Sequence, residues 1–470
     1  MTMTAEHALP VSDNLAPIDF ETDLPALRIH GNMPKSLNGV LVRNGPNPLF
    51  PSPDAHWFSG DGMLHAFSLA NGTASYRNRW VRTQRWEAQR VRNQSLDFGF
   101  APPQGQSDEF NDGAANTNVI WHGGRLLALE EAHLPVEIAL PLLQTQGQQN
   151  FGKRLTGCFT AHPKKDPATG DLHFFGYGTP QPFSTGMVYG VVNASNEVVH
   201  LETFQAPYAS MVHDMAITQN YVVIPIMPLT ASMDRAGKGE PPFAWDASFP
   251  NQIGVFRRDL GVKSLRWYKG PASYVFHFMN AWEEGMHLYV DGMQFQQAPL
   301  FPNVDRAAPP PAKPSASLCR WHFDLEADGG SYGQTCVDDF PGEFPRIDDR
   351  YTGRVYRHGW FTGHAGHEHG KFGCIVHFDH RRRKRAVYHL PPGDSSSEVV
   401  FVPRYDRADE GDGWLLAVVF RAGQGRSDLM VLDALEVESG PVALAELPHR
   451  VPDGFHGSWI DAADLSRVAA

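Results

Sequence analysis

The chain is broken by turn residues too often to form long helices. Its 470 residues include 44 glycines and 37 prolines, and short β-branched and aromatic runs lie between Gly, Asn and Asp clusters. Glycine reaches positive φ at little cost and proline lacks a ladder donor, so such clusters end strands. DPATGDLHFFGYG (166–178) reads as a turn at Gly170 followed by a strand. LALEE (127–131) follows a turn at Gly123 and Gly124, and LYVDGM (288–293) follows Glu284 and Gly285. WLLAVVF (414–420) and LMVLDA (429–434) flank a tip built from Gly423, Gly425 and Asp428. Helical or irregular excursions are expected over 135–143 and 229–243. Many short strands predict an all-β protein: a sandwich, a barrel or a propeller. Length alone allows about three domains. No linker-like break is visible, which favours one propeller domain over 1–470, with residues 1–20 as an N-terminal arm.

Composition removes several classes. Hydrophobic residues make up 42% and charged residues 20%, which suits a globular protein with a large core. Lys and Arg total 40 against 52 Asp and Glu, a formal charge of −12, so the surface offers no general field for nucleic-acid phosphates. The four cysteines, Cys158, Cys319, Cys336 and Cys374, form no CxxC pair and no zinc pattern, and are expected as free thiols in a reducing compartment. The start, MTMTAEHALPVSDN, has neither a basic nor an apolar signal-peptide region. No apolar run approaches the ~18 residues that span a bilayer. A cytoplasmic protein is expected. No P-loop, GxSxG elbow or dinucleotide fingerprint is present; GDG at 60–62 and GQG at 423–425 do not open a helix in a βαβ unit.

The 22 histidines are the informative residues. Four stand in apolar or strand-like words: His162 in FTAHPK, His213 in SMVHDM, His277 in YVFHFMN and His456 in GFHGSW. A lone histidine in such a place is usually a satisfied core residue. The gaps are 213 − 162 = 51, 277 − 213 = 64 and 456 − 277 = 179. Two equal about one propeller blade each and the third about three, so four blades could each send an imidazole to a central axis. Neutral imidazoles suit iron, copper or zinc, not calcium or magnesium. HAGHEH, with His364, His367 and His369, also looks like a metal cluster, but its Gly-rich setting reads as an exposed loop.

The words around these histidines carry more than their spacing. LNGVLVRNGPNPLF (37–50), HWFSGDGMLHAF (56–67), ANTNV (115–119), FTAHPK, MVHDMAIT, EFPRID (343–348), SSEVVFVPR (396–404) and FHGSW occur in this order. From about Pro34 to Trp459 the sequence resembles the carotenoid cleavage oxygenases. The resemblance implies a seven-bladed β-propeller with a loop and helix cap over a tunnel on the axial face. It implies one Fe(2+) per protein molecule, no organic cofactor, and His162, His213, His277 and His456 as ligands. It also implies that Glu131 orients His213, Glu343 orients His277 and Glu398 orients His456. Each carboxylate would accept the ring N–H remote from the metal, which fixes the tautomer and raises ligand basicity. Thr117 matches a threonine near an open coordination position and is expected to limit access of oxygen or water.

The implied reaction is oxidative alkene cleavage, in which dioxygen splits a C=C bond into two carbonyls. The alkene supplies the four electrons, so no external reductant is needed. A carotenoid or apocarotenoid is the first expectation. The alternative is a phenolic stilbene or phenylpropene. That branch of the family anchors its phenol with a Tyr and a Lys. The matching stretches here hold Glu130, and Phe98 and Phe100. A carboxylate cannot replace an ammonium and Phe has no hydroxyl, which argues against a phenol. Parts of the C-terminal third, EGDGWLLAVV and SDLMVLD, look equally like bacterial phenylpropanoid enzymes.

The expected partners are a small apolar alkene and O2, with no nucleic acid. Peripheral membrane contact has two candidate surfaces, LPVEIALPLL (134–143) and the stretch near Pro241, Phe243 and Trp245. RRRKR (381–385) reads as a solvated hairpin tip, and AAPPPAKP (307–314) as an extended surface loop.

Overall fold

The computed structural model describes residues 13–51, 56–96, 112–305, 315–327, 329–364 and 371–468. The stretch 307–314 and residues Phe98, Phe100, His367 and His369 lie outside them. The protein divides into two compact units. One takes in residues 151–356; the other takes in 13–96, 112–150 and 357–468.

Three larger, mainly antiparallel sheets build the body of the first unit. The strands Lys164–Lys165, Leu172–Tyr177, Gly186–Val192 and Val198–Gln205 follow one another across the first sheet. Ala216–Ile217, Tyr221–Ile226, Asn251–Arg257 and Arg266–Gly270 make the second. Tyr274–Glu284, His287–Phe295, Ser317–Asp324 and Gly333–Asp338 make the third. The first is a meander. In the second, Tyr221–Ile226 pairs with Asn251–Arg257 across an intervening two-stranded sheet of Leu229–Ala231 and Phe243–Trp245. Gly330–Ser331, between the last two strands of the third, pairs in parallel with Arg266–Gly270. Apolar faces pack between sheets: Phe175, Met187 and Tyr189 meet Val222, Ile224 and Phe256. Phe256 is 1% exposed, and burial of such an aromatic group contributes about 1.5–3 kcal/mol.

The second unit has four sheets. Asn118–His122, Arg125–Leu129, Val136–Ala139 and Gln144–Gln148 form one. His358–Gly363, Cys374–Asp379 and Lys384–His389 lie in another. Gly413–Arg421, Arg426–Asp433 and Pro441–Glu446 form the body of a third. In the fourth, Gly39–Pro46 pairs with Gly62–Ala70 on one side and with Gly457–Asp461 on the other. An early strand and a late strand thus share one sheet, which removes two edges that would otherwise stay open. With the two-stranded pair of Leu229–Ala231 and Phe243–Trp245 set aside, the seven larger sheets are the strand inventory of the expected all-β, seven-bladed β-propeller.

Part of the expected arm over 1–20 packs against the body. Asn14 Nδ2 donates to the Val451 carbonyl at 3.0 Å and to Asp453 at 2.6 Å, and Ile18 is 7% exposed. The stretch 135–143 holds the strand Val136–Ala139, where Val136 and Ile138 point into the core. The stretch 229–243 contains one short strand, Leu229–Ala231, and a single helical turn, Met233–Gly237, capped by Ser232. RRRKR lies at the exposed end of a hairpin. Among the described residues no helix is long and apolar enough to cross a membrane.

Candidate metal centre

Three of the singled-out histidines converge in the first unit. His213 Nε2 lies 3.0 Å from His162 Nε2 and 3.2 Å from His277 Nε2. The donor nitrogens of all three fall within 4.8 Å of one another. Different local devices aim them. His162 sits in a loop before Lys164–Lys165, where its backbone N–H donates to Thr160 Oγ1 at 2.9 Å. His213 precedes the short strand Ala216–Ile217. His277 lies in Tyr274–Glu284, where the pairing register shifts on both sides of Phe278. Such a bulge re-aims a side group that a regular strand would point elsewhere.

A carboxylate holds His277 from behind. Glu343 Oε2 lies 2.6 Å from His277 Nδ1, and the Phe344 ring stacks on the imidazole at 5.3 Å. The Phe344 backbone N–H, in the strand Gly342–Ile347 with φ 56° at Phe344, also donates to Glu343, so the strand itself grips the carboxylate.

In the second unit, His456 Nδ1 lies 2.9 Å from Glu398 Oε1, and the N–H of Gly457 donates to Glu398 Oε2 at 3.0 Å. One carboxylate therefore spans the imidazole and the following backbone. The His456 N–H donates to the Thr117 carbonyl at 3.3 Å, and the Thr117 hydroxyl donates to Asn116 at 2.9 Å. His456 is 4% exposed and Glu398 4%.

The remaining expected residues are less concentrated. Glu130 is half-buried and bonds the His133 ring. That partner and the nearby Arg85 hold its carboxyl below the usual range, against the opposing effect of burial. Glu131 is half-buried on the turn after Arg125–Leu129. His364 contacts the Lys371 carbonyl at 3.1 Å and stacks on Phe372. Phe243 and Trp245, expected at a membrane-facing surface, are 6% and 5% exposed and therefore offer none. Leu142 in the other candidate stretch is exposed.

Asp214 escaped the sequence reading. It is 1% exposed. Its Oδ1 takes the Lys164 ammonium at 2.7 Å, and its Oδ2 accepts the N–H of Phe278 at 2.9 Å. One carboxylate thus ties together the segments carrying His162, His213 and His277. The only signal in the sequence is the HD pair at 213–214, which is too common to read.

Among the described residues, His162, His213, His277 and His456 make up the group able to hold a metal ion. Their chemistry fits one. A neutral imidazole donating from Nδ1 carries its lone pair on Nε2. Lone pairs about 3 Å apart repel unless a proton or a cation lies between them. Metal–nitrogen bonds of about 2.0–2.1 Å place neighbouring ligand atoms at roughly that separation. No carboxylate or thiolate belongs to the group, so the donors suit a borderline transition metal.

The family model described as retinal pigment epithelial membrane protein matches residues 15–461. Isoeugenol monooxygenase of Pseudomonas nitroreducens is 36% identical over 463 residues, covering 95% of this protein and 96% of that one. Carotenoid 9,10(9',10')-cleavage dioxygenase of Crocus sativus is 33% identical, covering 97% and 89%. The crystal structure of Pseudomonas brassicacearum lignostilbene dioxygenase superposes with a TM-score of 0.91 at 35% identity, covering 96% of this protein and 98% of that one. The four largely buried imidazoles fit the non-haem iron site of this family. The protein belongs to the retinal pigment epithelial membrane protein family, the carotenoid cleavage oxygenases, and is an oxidative alkene-cleaving enzyme of that family.

Proposed function

We propose that His162, His213, His277 and His456 ligate one Fe(2+) and that the enzyme cleaves the alkene bond of a phenolic phenylpropene or stilbene. The observation that carries the metal reading is the pairing of Nε2 convergence with carboxylate-held Nδ1 atoms at His277 and His456. Iron(II), when bound, supplies the one-electron chemistry that lets dioxygen react with an alkene. The residues supply orientation. Glu343 and Glu398 hold the Nδ1 protons of His277 and His456, and Glu131 does the same for His213. Thr117, bonded through its carbonyl to the His456 backbone, narrows access for oxygen and water.

The phenolic substrate is supported by the 35–36% identity to an isoeugenol monooxygenase and a lignostilbene dioxygenase. A second reading is an apocarotenoid. It is favoured by Glu130, which stands where the phenol branch carries its lysine, and it would bring peripheral membrane contact to a cytoplasmic enzyme. Glu130 would then border the polyene.

The test offers isoeugenol, a para-hydroxystilbene and an apocarotenal together to the iron(II)-loaded protein under air, with product analysis. Aromatic aldehydes are expected. Shortened apocarotenals alone would establish the second reading. No oxygen uptake with any of the three would overturn both.

A further inference from the structure

We propose that Cys319 and Cys336 are a redox-active thiol pair that a peroxide closes into an intramolecular disulfide. The strands Ser317–Asp324 and Gly333–Asp338 run antiparallel, and Cys319 stands directly opposite Cys336. Directly opposed residues have Cα atoms about 4.5–5.5 Å apart and Cβ atoms about as close. A disulfide needs Cα atoms at about 4.4–6.8 Å and Cβ atoms at about 3.5–4.5 Å. The backbone therefore already satisfies the first requirement, and a small closing movement satisfies the second. That movement has a place to occur: the register shifts between Leu318 and Cys319, and a bulge gives the strand local freedom to twist.

The two thiols differ in the way a sensor pair requires. Cys336 is exposed and Cys319 half-buried, and none of the four cysteines is in a disulfide. Burial and the neighbouring Cys336 push the Cys319 thiol up to about 11, so Cys319 suits the resolving role and Cys336 the attacking one. The Cys336 thiolate attacks one peroxide oxygen, the O–O bond breaks, and Cys336 becomes a sulfenic acid as hydroxide leaves, taking up the proton that the Cys336 thiol had given and departing as water. The Cys319 sulfur then attacks the Cys336 sulfur and expels hydroxide, which leaves as water with the Cys319 proton. In sum, two thiols and hydrogen peroxide give one disulfide and two waters; sulfur is oxidised and peroxide oxygen reduced. In a reducing compartment such a bond is transient, as redox-sensing disulfides are. Cys158 and Cys374 serve as internal controls: Cys158 Sγ donates to the Tyr177 carbonyl at 3.2 Å, and Cys374 is buried.

The test treats the full-length protein with hydrogen peroxide, quenches with catalase, and digests it without reductant for mass spectrometry beside a thiol count. The expected result is one cross-linked peptide pair joining Cys319 to Cys336, the loss of two titratable thiols, and recovery of both with dithiothreitol. In Cys336→Ser, Cys319 is expected to stay a thiol under the same dose. Sulfinic acid at Cys336 beside an intact Cys319, separate molecules joined to each other through Cys336, or equal loss of Cys319 in wild type and Cys336→Ser would each overturn the proposal.

Discussion

The Asp214 carboxylate and the Lys164 ammonium lie 2.7 Å apart, with side groups 2% and 21% exposed. Neither residue belongs to the ligand set, yet each stands within two positions of a member of it. Because Asp214 also accepts the Phe278 N–H, the pair acts as a brace across three ligand segments.

Removing that brace is expected to cost both stability and metal. Asp214→Ala leaves a largely buried ammonium without its partner, a loss of about 3 kcal/mol, the lower end of what breaking a buried pair costs. Asp214→Asn keeps an acceptor for Phe278 and is expected to lose less of both. Thermal unfolding and iron stoichiometry of the two variants check this. Equal iron content in Asp214→Ala and wild type would remove Asp214 from any role in the centre.

Glu343→Gln weakens the hold on His277 without changing the size of the residue. Loss of such an outer partner typically lowers metal affinity or activity ~10–100-fold, and that range is expected for kcat/KM here. The Nδ1 proton keeps an amide oxygen as acceptor, so the fold is expected to persist. Unchanged turnover with unchanged iron content would refute the assigned role.

His213→Ala takes away the imidazole that stands between His162 and His277. Iron loading and turnover are expected to vanish while the circular dichroism spectrum of the sheets stays. In wild type, chelation should abolish activity, iron(II) should restore it, and zinc, which has no redox chemistry, should not. Full activity in the zinc-refilled protein would disprove an oxygen-dependent reaction at this centre.

A second histidine pair sets an acid limit on stability. His358 Nδ1 and His377 Nε2 lie 2.9 Å apart, both buried. Burial, followed by Arg357 for His358 and by His358 for His377, lowers both to about 4. The unfolded protein takes up both protons below about 6.5, whereas the folded protein resists until about 4. The stability is therefore whole above pH 6.5 and lost as pH falls from there towards 4. Urea midpoints of metal-free protein across that window should drop, and His377→Gln should show a shallower slope. Identical slopes would contradict the assignment.

The hairpin from 413 to 433 shows what was legible in the sequence. Two apolar runs around Gly423 and Gly425 predict two strands and a tight tip. The observed strands are Gly413–Arg421 and Arg426–Asp433, with Gly425 at φ 61°. The helix Gln84–Arg92 was not legible, because it buries only Trp86 and Gln89 and so leaves no apolar stripe to detect. The stretch 135–143 resembled an excursion because Pro135 and Pro141 flank a strand of only four residues.

The sequence by itself determined the strand punctuation, the ligand words around His162, His213, His277 and His456, and the carboxylates Glu343 and Glu398. These are local features: turn residues act on their own neighbours, and a family word is contiguous. Only the tertiary structure decided that three imidazoles meet at about 3 Å, that a bulge aims His277, that Asp214 braces three segments, and that Phe243 and Trp245 face inward. Each of these depends on which distant strands lie side by side. A hydrogen bond between residues 64 positions apart, such as Asp214 to Phe278, leaves no periodic trace in the sequence.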